Sequence, residues 1–225
     1  MDKIKYHPQQ DVFRLIDGKK QRVTPYRFGQ REQENLSAPK PQQQPLKGPY
    51  IKSIVFNGIY VITTAVDEKG KEIVQELPAV SGEPRFGDEF DYSKYRQELL
   101  SGPIPEGNYK INPQEVQRPT LKDDVVSLAG GLIHKDIGKF PGGRRSWGDC
   151  RIAISQSDKQ AKETGRGNFF IHGGDEPGSL GCIDLQHGEK AFCGFIEKYR
   201  GKNQKEVPLA VKYLDEVKDV PDDEF

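Results

Sequence analysis

The chain has 225 residues, with Lys+Arg and Asp+Glu equal at 34 each, so it carries no net field that would gather nucleic acid or an anionic membrane surface. Its length suits one domain with a sound core, or one domain plus an arm. No apolar run approaches the length a bilayer span needs, and the sequence reads as that of a soluble protein.

The first residues, Met1-Asp2-Lys3-Ile4-Lys5-Tyr6-His7-Pro8, lack both the apolar core and the small-residue cleavage site of a secretory signal. Residues 1–48 are polar, with Gln/Pro clusters at Pro8-Gln9-Gln10 and from Pro39 to Pro45. Such composition buries too little apolar surface to offset ordering, which predicts an arm or an extended linker. Within it, Asp11–Ile16 reads as part of that tail, with a short strand or docking piece as the alternative.

From Tyr50 the texture changes, and a domain over residues 49–214 begins. Ile51–Phe56 and Ile59–Val66 are β-rich runs joined by Asn57-Gly58, the dipeptide suited to a two-residue hairpin turn. A third strand follows through Lys71–Gly82, completing a β-meander. Tyr92, Tyr95 and Leu99 are spaced as on one helical face, predicting a short surface helix within residues 83–100. A Pro/Gly turn from Gly102 feeds a strand through Tyr109 and Ile111.

Residues 112–149 are broken by Pro113, Pro119, Gly130-Gly131 and Gly142-Gly143. A long irregular stretch inside a compact domain is often functional, so a lid or groove wall is expected here. Asp149–Ser155 is a strand, Ser157–Gly165 a polar turn or short helix, and Asn168–Ile171 a strand leading into His172. Ala191, Phe192, Phe195, Ile196 and Tyr199 recur at helical spacing, with Gly201 as the stop. Val207–Leu214 is a last strand, its Pro208 favouring a sheet edge or a strand start. Residues 215–225 form an acidic tail.

The chemistry concentrates in Asn168–Leu185, where an apolar strand ends in His172, a Gly/Pro/Asp loop follows, and Gly181-Cys182 leads into more apolar residues. A thiolate attacks a carbonyl far better than a thiol, so a nucleophilic cysteine needs a base to take its proton. The nine residues between His172 and Cys182 are rich in turn formers and are able to double back and bring the pair together. Gly181, without a Cβ, lets a substrate carbonyl approach the backbone N–H groups beside the nucleophile. Gly173 or Gly174 is placed to offer a carbonyl to the second imidazole nitrogen, with Asp175 as a competing orienter. Ser179 either hydrogen-bonds His172 or a substrate carboxylate, or shapes the turn. His187 is expected to be exposed, and His134 to be structural or a groove residue. Of the three cysteines, at least one must stay unpaired within the chain; no CxxC spacing suggests a metal, and Cys150 and Cys193 read as packing residues.

The order His, loop, Ser-x-Gly-Cys after an apolar strand resembles the catalytic motif of L,D-transpeptidases of the YkuD type, and most closely the shortened version in type VI secretion effectors that attack the cell wall. Ser81-Gly82 at a strand end and Gly102–Ile111 resemble further landmarks of that domain. Two positions depart from the family's usual pattern: Leu180 stands where it has a second His, and Asp184 where many relatives carry Arg or Asn. The resemblance implies a β-rich α+β fold, a sandwich or mixed sheet with one main helix after the cysteine.

It further implies Cys182 as nucleophile, His172 as base, Ser179 as a third polar member, and Gly181 with Gly173 as backbone contributors. The substrate would be a peptidoglycan stem peptide, met by Arg144, Arg145, Trp147 and Asp184. Arg forks suit carboxylates, and the indole suits an apolar stem. No cofactor or metal is implied. The same resemblance leads to an antibacterial effector made in the cytoplasm without a Sec signal and acting in the periplasm of a target cell, with an immunity protein and a component of the secretion apparatus as partners. The alternatives are a cysteine endopeptidase or amidase of the NlpC/P60 kind, which places Cys before His, and an inactive wall-binding or secretion-docking module.

Overall fold

The computed structural model describes residues 48–84, 90–132, 138–157, 165–175 and 177–218, together with the backbone of three short strands nearer the N-terminus. These are β1 (Ile4–Lys5), β2 (Phe13–Ile16) and β3 (Lys19–Arg22), paired antiparallel in that order. The segment Asp11–Ile16 thus contains a strand. The Gln/Pro run at 39–45, His134, most of the polar stretch after Ser157 and the acidic residues from Asp219 lie outside the described residues.

The domain is mostly β, with few helices. Its strands are β4 (Tyr50–Phe56), β5 (Tyr60–Val66), β6 (Glu72–Pro78), β7 (Val80–Ser81), β8 (Gly107–Ile111), β9 (Arg151–Gln156), β10 (Phe170–His172), β11 (Ile183–Asp184) and β12 (Val207–Val211). They form one nine-stranded sheet in the order β6-β5-β4-β12-β8-β9-β10-β11-β7. The pairs β12–β4 and β10–β11 are parallel and the others antiparallel. The edge strands β6 and β7 are separated in sequence by Ala79 alone, so the sheet curls until its two edges nearly meet. Near-closure of this kind leaves little free edge to pair with other chains.

Alternation along the strands builds the core. Ile152, Ile171 and Ile183 sit opposite one another on β9, β10 and β11, and all three are buried. Ile51, Ile54, Phe56, Tyr109, Ile111 and Leu209 continue the same apolar interior. Helix α4 (Glu189–Tyr199) covers part of it with Phe192 and Ile196, as the helical spacing predicts.

Several expectations need correction. The hairpin at Asn57 is not a two-residue turn: Phe56 pairs with Val61, and the buried Asn57 carboxamide accepts from the N–H groups of Ile59 and Tyr60. The third strand is split at Ala79, because β7 leaves β5 and pairs with β11 at the far edge. Helix α1 is only Lys94–Glu98; Tyr92 lies before it and is buried, whereas Tyr95 points to solvent, so the two do not share a face. Strand β12 is central rather than an edge, so of the two expectations for Pro208 it is the strand start that holds, at the second position of β12.

The stretch 112–149 is not wholly irregular, since α2 (Leu121–Leu132) and α3 (Gly143–Trp147) lie within it. A reciprocal cap starts α2: Thr120 Oγ1 accepts from Asp123 N–H, while the Asp123 carboxylate accepts from Thr120 N–H and its hydroxyl. Gly130-Gly131 fall in its last turn, and Gly142-Gly143 open α3.

The largest correction concerns Cys150 and Cys193. They are not separate packing residues but a disulfide that ties the start of β9 to α4. Cysteine types and spacing gave no sign of this, because pairing depends on where the sheet brings α4.

Candidate active site

Strands β10 and β11 place the two candidate side chains, His172 and Cys182. They run parallel with Ile171 opposite Ile183 and His172 opposite Asp184. Since Ile171 and Ile183 turn into the core, Phe170, His172, Cys182 and Asp184 share the other face. Cys182 is therefore the diagonal neighbour of His172 across adjacent strands. The Phe170 N–H donates to Cys182 Sγ at 3.3 Å, which holds the sulfur against β10.

The imidazole is fixed on two sides. His172 Nδ1 lies 2.6 Å from the Gly173 carbonyl. A carbonyl accepts only, so Nδ1 carries the proton and Nε2 is left bare, the form a general base requires. Trp147 packs on the ring with centroids 5.0 Å apart. Burial, reinforced by the Arg151 charge, pushes His172 down to about 4, against the Gly173 bond and Glu189, which favour its cation. Burial likewise pushes the Cys182 thiol up to about 11; Asp184 adds to the rise, while the Phe170 N–H, Arg151 and Arg166 oppose it. Both shifts favour the uncharged forms, thiol and neutral imidazole, at neutral pH.

The loop between the two residues is held from several directions. The Ser179 hydroxyl donates to the Cys182 carbonyl at 2.8 Å, and Ser179 N–H donates to the Gly82 carbonyl at 3.0 Å, just beyond β7. The Asp184 carboxylate is fully buried and accepts from Gly178 N–H at 3.0 Å and Gln186 N–H at 2.7 Å. Desolvation raises its pKa to about 7. Gly181 has φ of +97°, and a Cβ there would lie 2.3 Å from an Arg166 nitrogen and 2.8 Å from the Phe169 ring, so no other residue fits without displacing them. Leu180, beside it, is 66% exposed.

Of the residues expected to meet substrate, Trp147 does lie in the site, against His172 and Phe170. Arg144 is engaged instead by Asp124, Asp149 and the Pro119 carbonyl. Arg145 is exposed, and its carbonyl accepts from Asp175 N–H at 2.8 Å, tying α3 to the loop after His172. Asp184 lies beneath the loop, out of reach of solvent. His187 is exposed, on a 3-10 turn before α4.

Three buried charged residues escaped the sequence reading. Arg166 donates to the carbonyls of Gln97, Leu100, Gly102, Pro103 and Leu180, binding the 97–103 segment to the residue two before Cys182. Glu189 accepts from Asp149 N–H through Oε1, while its buried Oε2 has no hydrogen-bond partner and packs beside Gly173. Arg151 stands opposite His172 on β9. The available signal was a charged residue standing in a strand whose other positions are mostly apolar.

The β-rich, nearly closed mixed sheet thus presents a tautomer-fixed histidine beside a buried cysteine, a candidate site for cysteine chemistry. The family model described as the Tlde1 domain matches residues 75–209, more than half of the chain. The protein belongs to this family, that of type VI secretion L,D-transpeptidase effectors. Among solved structures, the chain is similar to Bd1075 of Bdellovibrio bacteriovorus at 13% identity and a TM-score of 0.41, over 72% of this chain and 48% of that one. It thus spans about half the length of that relative. No curated protein matches the chain. Among the described residues no helix is long and apolar enough to cross a membrane.

Proposed function

We propose that the protein is a YkuD-type, cysteine-dependent enzyme that cleaves or exchanges the terminal residue of peptidoglycan tetrapeptide stems. The observation that carries this reading is the placement of His172, bare at Nε2, and Cys182 on one face of two hydrogen-bonded strands. His172 Nε2 takes the proton from Cys182 Sγ as the sulfur attacks the carbonyl of the meso-diaminopimelate L-centre. Backbone N–H groups at Gly181 and Cys182 receive the developing oxyanion. Collapse of the tetrahedral intermediate breaks the C–N bond; His172 returns the proton to the leaving amine, and D-Ala departs from a thioester. Water then completes an L,D-carboxypeptidase reaction, whereas an amine from a D-amino acid or a neighbouring stem completes exchange or cross-linking.

Ser179 supports the site by holding the Cys182 carbonyl, and Trp147 walls the imidazole. We place the action in the periplasm of a target bacterium, with a cognate immunity protein protecting the producer. The disulfide supports this, because such bonds persist in oxidising compartments and are rare in the cytosol.

The test is D-Ala release from purified tetrapeptide muropeptides, with intact-protein mass spectrometry to find the acyl adduct. Cys182→Ala should abolish both release and adduct while the protein stays folded. Continued release by that variant would refute the mechanism.

A further inference from the structure

Arg151 is held in an unusual way for a buried cation. It is only 6% exposed. Its guanidinium carbon lies 4.1 Å from the ring centroid of Phe140, 4.2 Å from Trp147 and 4.3 Å from Phe170. Nε donates to the Gln117 carboxamide at 3.1 Å and Nη2 to the Lys139 carbonyl at 2.8 Å. Its backbone exchanges both hydrogen bonds with Gln117, which leaves the residue little freedom to swing away. Among the described residues no carboxylate forms an ion pair with it. Removing a cation from water without an anionic partner is costly, and three aromatic faces offset only part of that cost.

We propose that Arg151 is the electrostatic positioning residue of this site: an immobilised buried guanidinium, opposite His172 in the strand register, whose charge, held in no ion pair among the described residues, favours the thiolate of Cys182 and keeps His172 a neutral base. The inference rests on Cys182 being the nucleophile. Two rows of side chains cross the face of β9, β10 and β11 opposite the isoleucine core, one of Ala153, Phe170 and Cys182, the other of Arg151, His172 and Asp184. Arg151 and Cys182 flank the same strand, and Trp147 and Phe170 fill the space around the guanidinium so that water does not screen it. The other charged or titratable groups around Cys182 are Asp184 on β11, Arg166 before β10 and His172 itself; Glu189 at the start of α4 faces His172, and Asp123 on α2 acts on Arg151. Arg166 is already shared among five carbonyls. Arg151 is the charge that acts on both members of the pair, lowering the proton affinity of each.

Charge and burial make opposite predictions for Cys182, which separates an electrostatic role from a structural one. Removing a cation raises the proton affinity of both the thiol and the imidazole. Loosening the site lowers that of the thiol and raises only that of the imidazole. The experiment uses the full chain with Cys150–Cys193 oxidised, so that Cys182 is the reactive thiol. Its alkylation by iodoacetamide is followed at pH 8, alongside NMR titration of His172. Arg151→Met should slow alkylation about three- to tenfold, since each unit of thiol pKa is tenfold in thiolate, and should move the His172 titration upward. Arg151→Lys, which keeps the charge, should stay within about twofold of wild type. If Arg151→Met does not fold, Arg151→Gln retains a donor toward the Lys139 carbonyl and serves in its place. Faster alkylation in the neutral variant, an unchanged rate, or a lysine variant as slow as the methionine one would overturn the inference. D-Ala release is read separately: its persistence in Cys182→Ala would defeat the catalytic reading, whereas normal release with unshifted alkylation in Arg151→Met would defeat this one alone.

Discussion

The Cys150–Cys193 bond offers the sharpest stability prediction, because its contribution is worked from its place in the chain. It closes a loop with a sequence separation of 43 residues. On the chain-entropy account, a cross-link of that span removes about 4 kcal/mol of freedom from the unfolded state at 25 °C. For a domain of this size each kcal/mol corresponds to roughly 2–4 °C in Tm, so losing the bond should lower Tm by about 10 °C. Reduction by dithiothreitol is the cleaner perturbation, since it leaves the sulfurs in place; Cys150→Ala with Cys193→Ala adds small cavities at two fully buried sites. Thermal and urea unfolding should be compared with and without reductant in a Cys182→Ala background, where no third thiol is present to exchange. The cost should extend to function, because the bond anchors Cys150 beside Arg151 and Cys193 on the helix that begins at Glu189. Oxidised and reduced protein melting within about 1 °C of each other, or titration of all three cysteines as free thiols in the oxidised folded chain, would refute the reasoning.

His172→Ala should slow thioester formation by roughly a hundredfold or more, the scale for loss of a positioned base, while His187→Ala, exposed on its turn, should change little; stopped-flow acylation with a stem tetrapeptide decides. Because burial holds His172 near 4, the acidic limb of kcat/KM should fall near that pH and not in the ordinary histidine range, where its appearance would show the base to be another residue. Asp184 is raised to about 7 from a carboxylate's usual 3.8, so the folded chain keeps a proton that the unfolded chain releases. That stabilisation is full below pH 3.8 and is lost as pH rises through about 7. Unfolding free energy should therefore decline from pH 4.5 to 8 in wild type relative to Asp184→Asn, and parallel curves would contradict it. Toxicity should appear when an artificial Sec signal sends the protein to the periplasm and be absent when it stays in the cytoplasm; equal toxicity in both would remove the wall as target.

The parts of the fold legible in the sequence are those set by local pattern. Alternation and turn residues give β4, β5, β8 and β9 their places, and 3.6-residue spacing gives α4, because each buries one face against a single core. What stays hidden depends on contacts distant in sequence. Nothing around Ala79 tells that β6 stays on one edge while β7 crosses to the other, since that follows from closing the whole sheet. Cys150 and Cys193 look like ordinary buried residues until the fold brings α4 beside the residue that precedes β9. Thr120 and Asp123 do carry a readable capping signal, but the glycine pair later in α2 obscures it. In the candidate site, His172, Gly181 and Cys182 are legible as candidates because the chemistry proposed for them calls for those residue types in one short stretch. Arg151, Arg166 and Glu189 are not, for their roles come from burial and from strands and loops tens of residues away.

The loop from Gly173 to Gly181 shows why composition is a poor guide to stiffness. Its Gly, Pro, Asp and Ser residues are those of a flexible connection, yet the described part is tied down at short intervals. Asp175 N–H reaches α3, Gly178 N–H reaches Asp184, and Ser179 bonds both Gly82 and the Cys182 carbonyl. Arg166 closes the last gap at Leu180. Each anchor comes from a different element, and the Gly82 contact exists only because β7 crosses to the far edge of the sheet. A general base is useful to a nucleophile only if both are held within a fraction of an ångström of the reactive geometry. The small residues of the loop are thus needed for close approach rather than for motion: they let backbone meet backbone at Arg145 and Gly82 and let the buried Asp184 and Arg166 side chains reach the chain at Gly178 and Leu180.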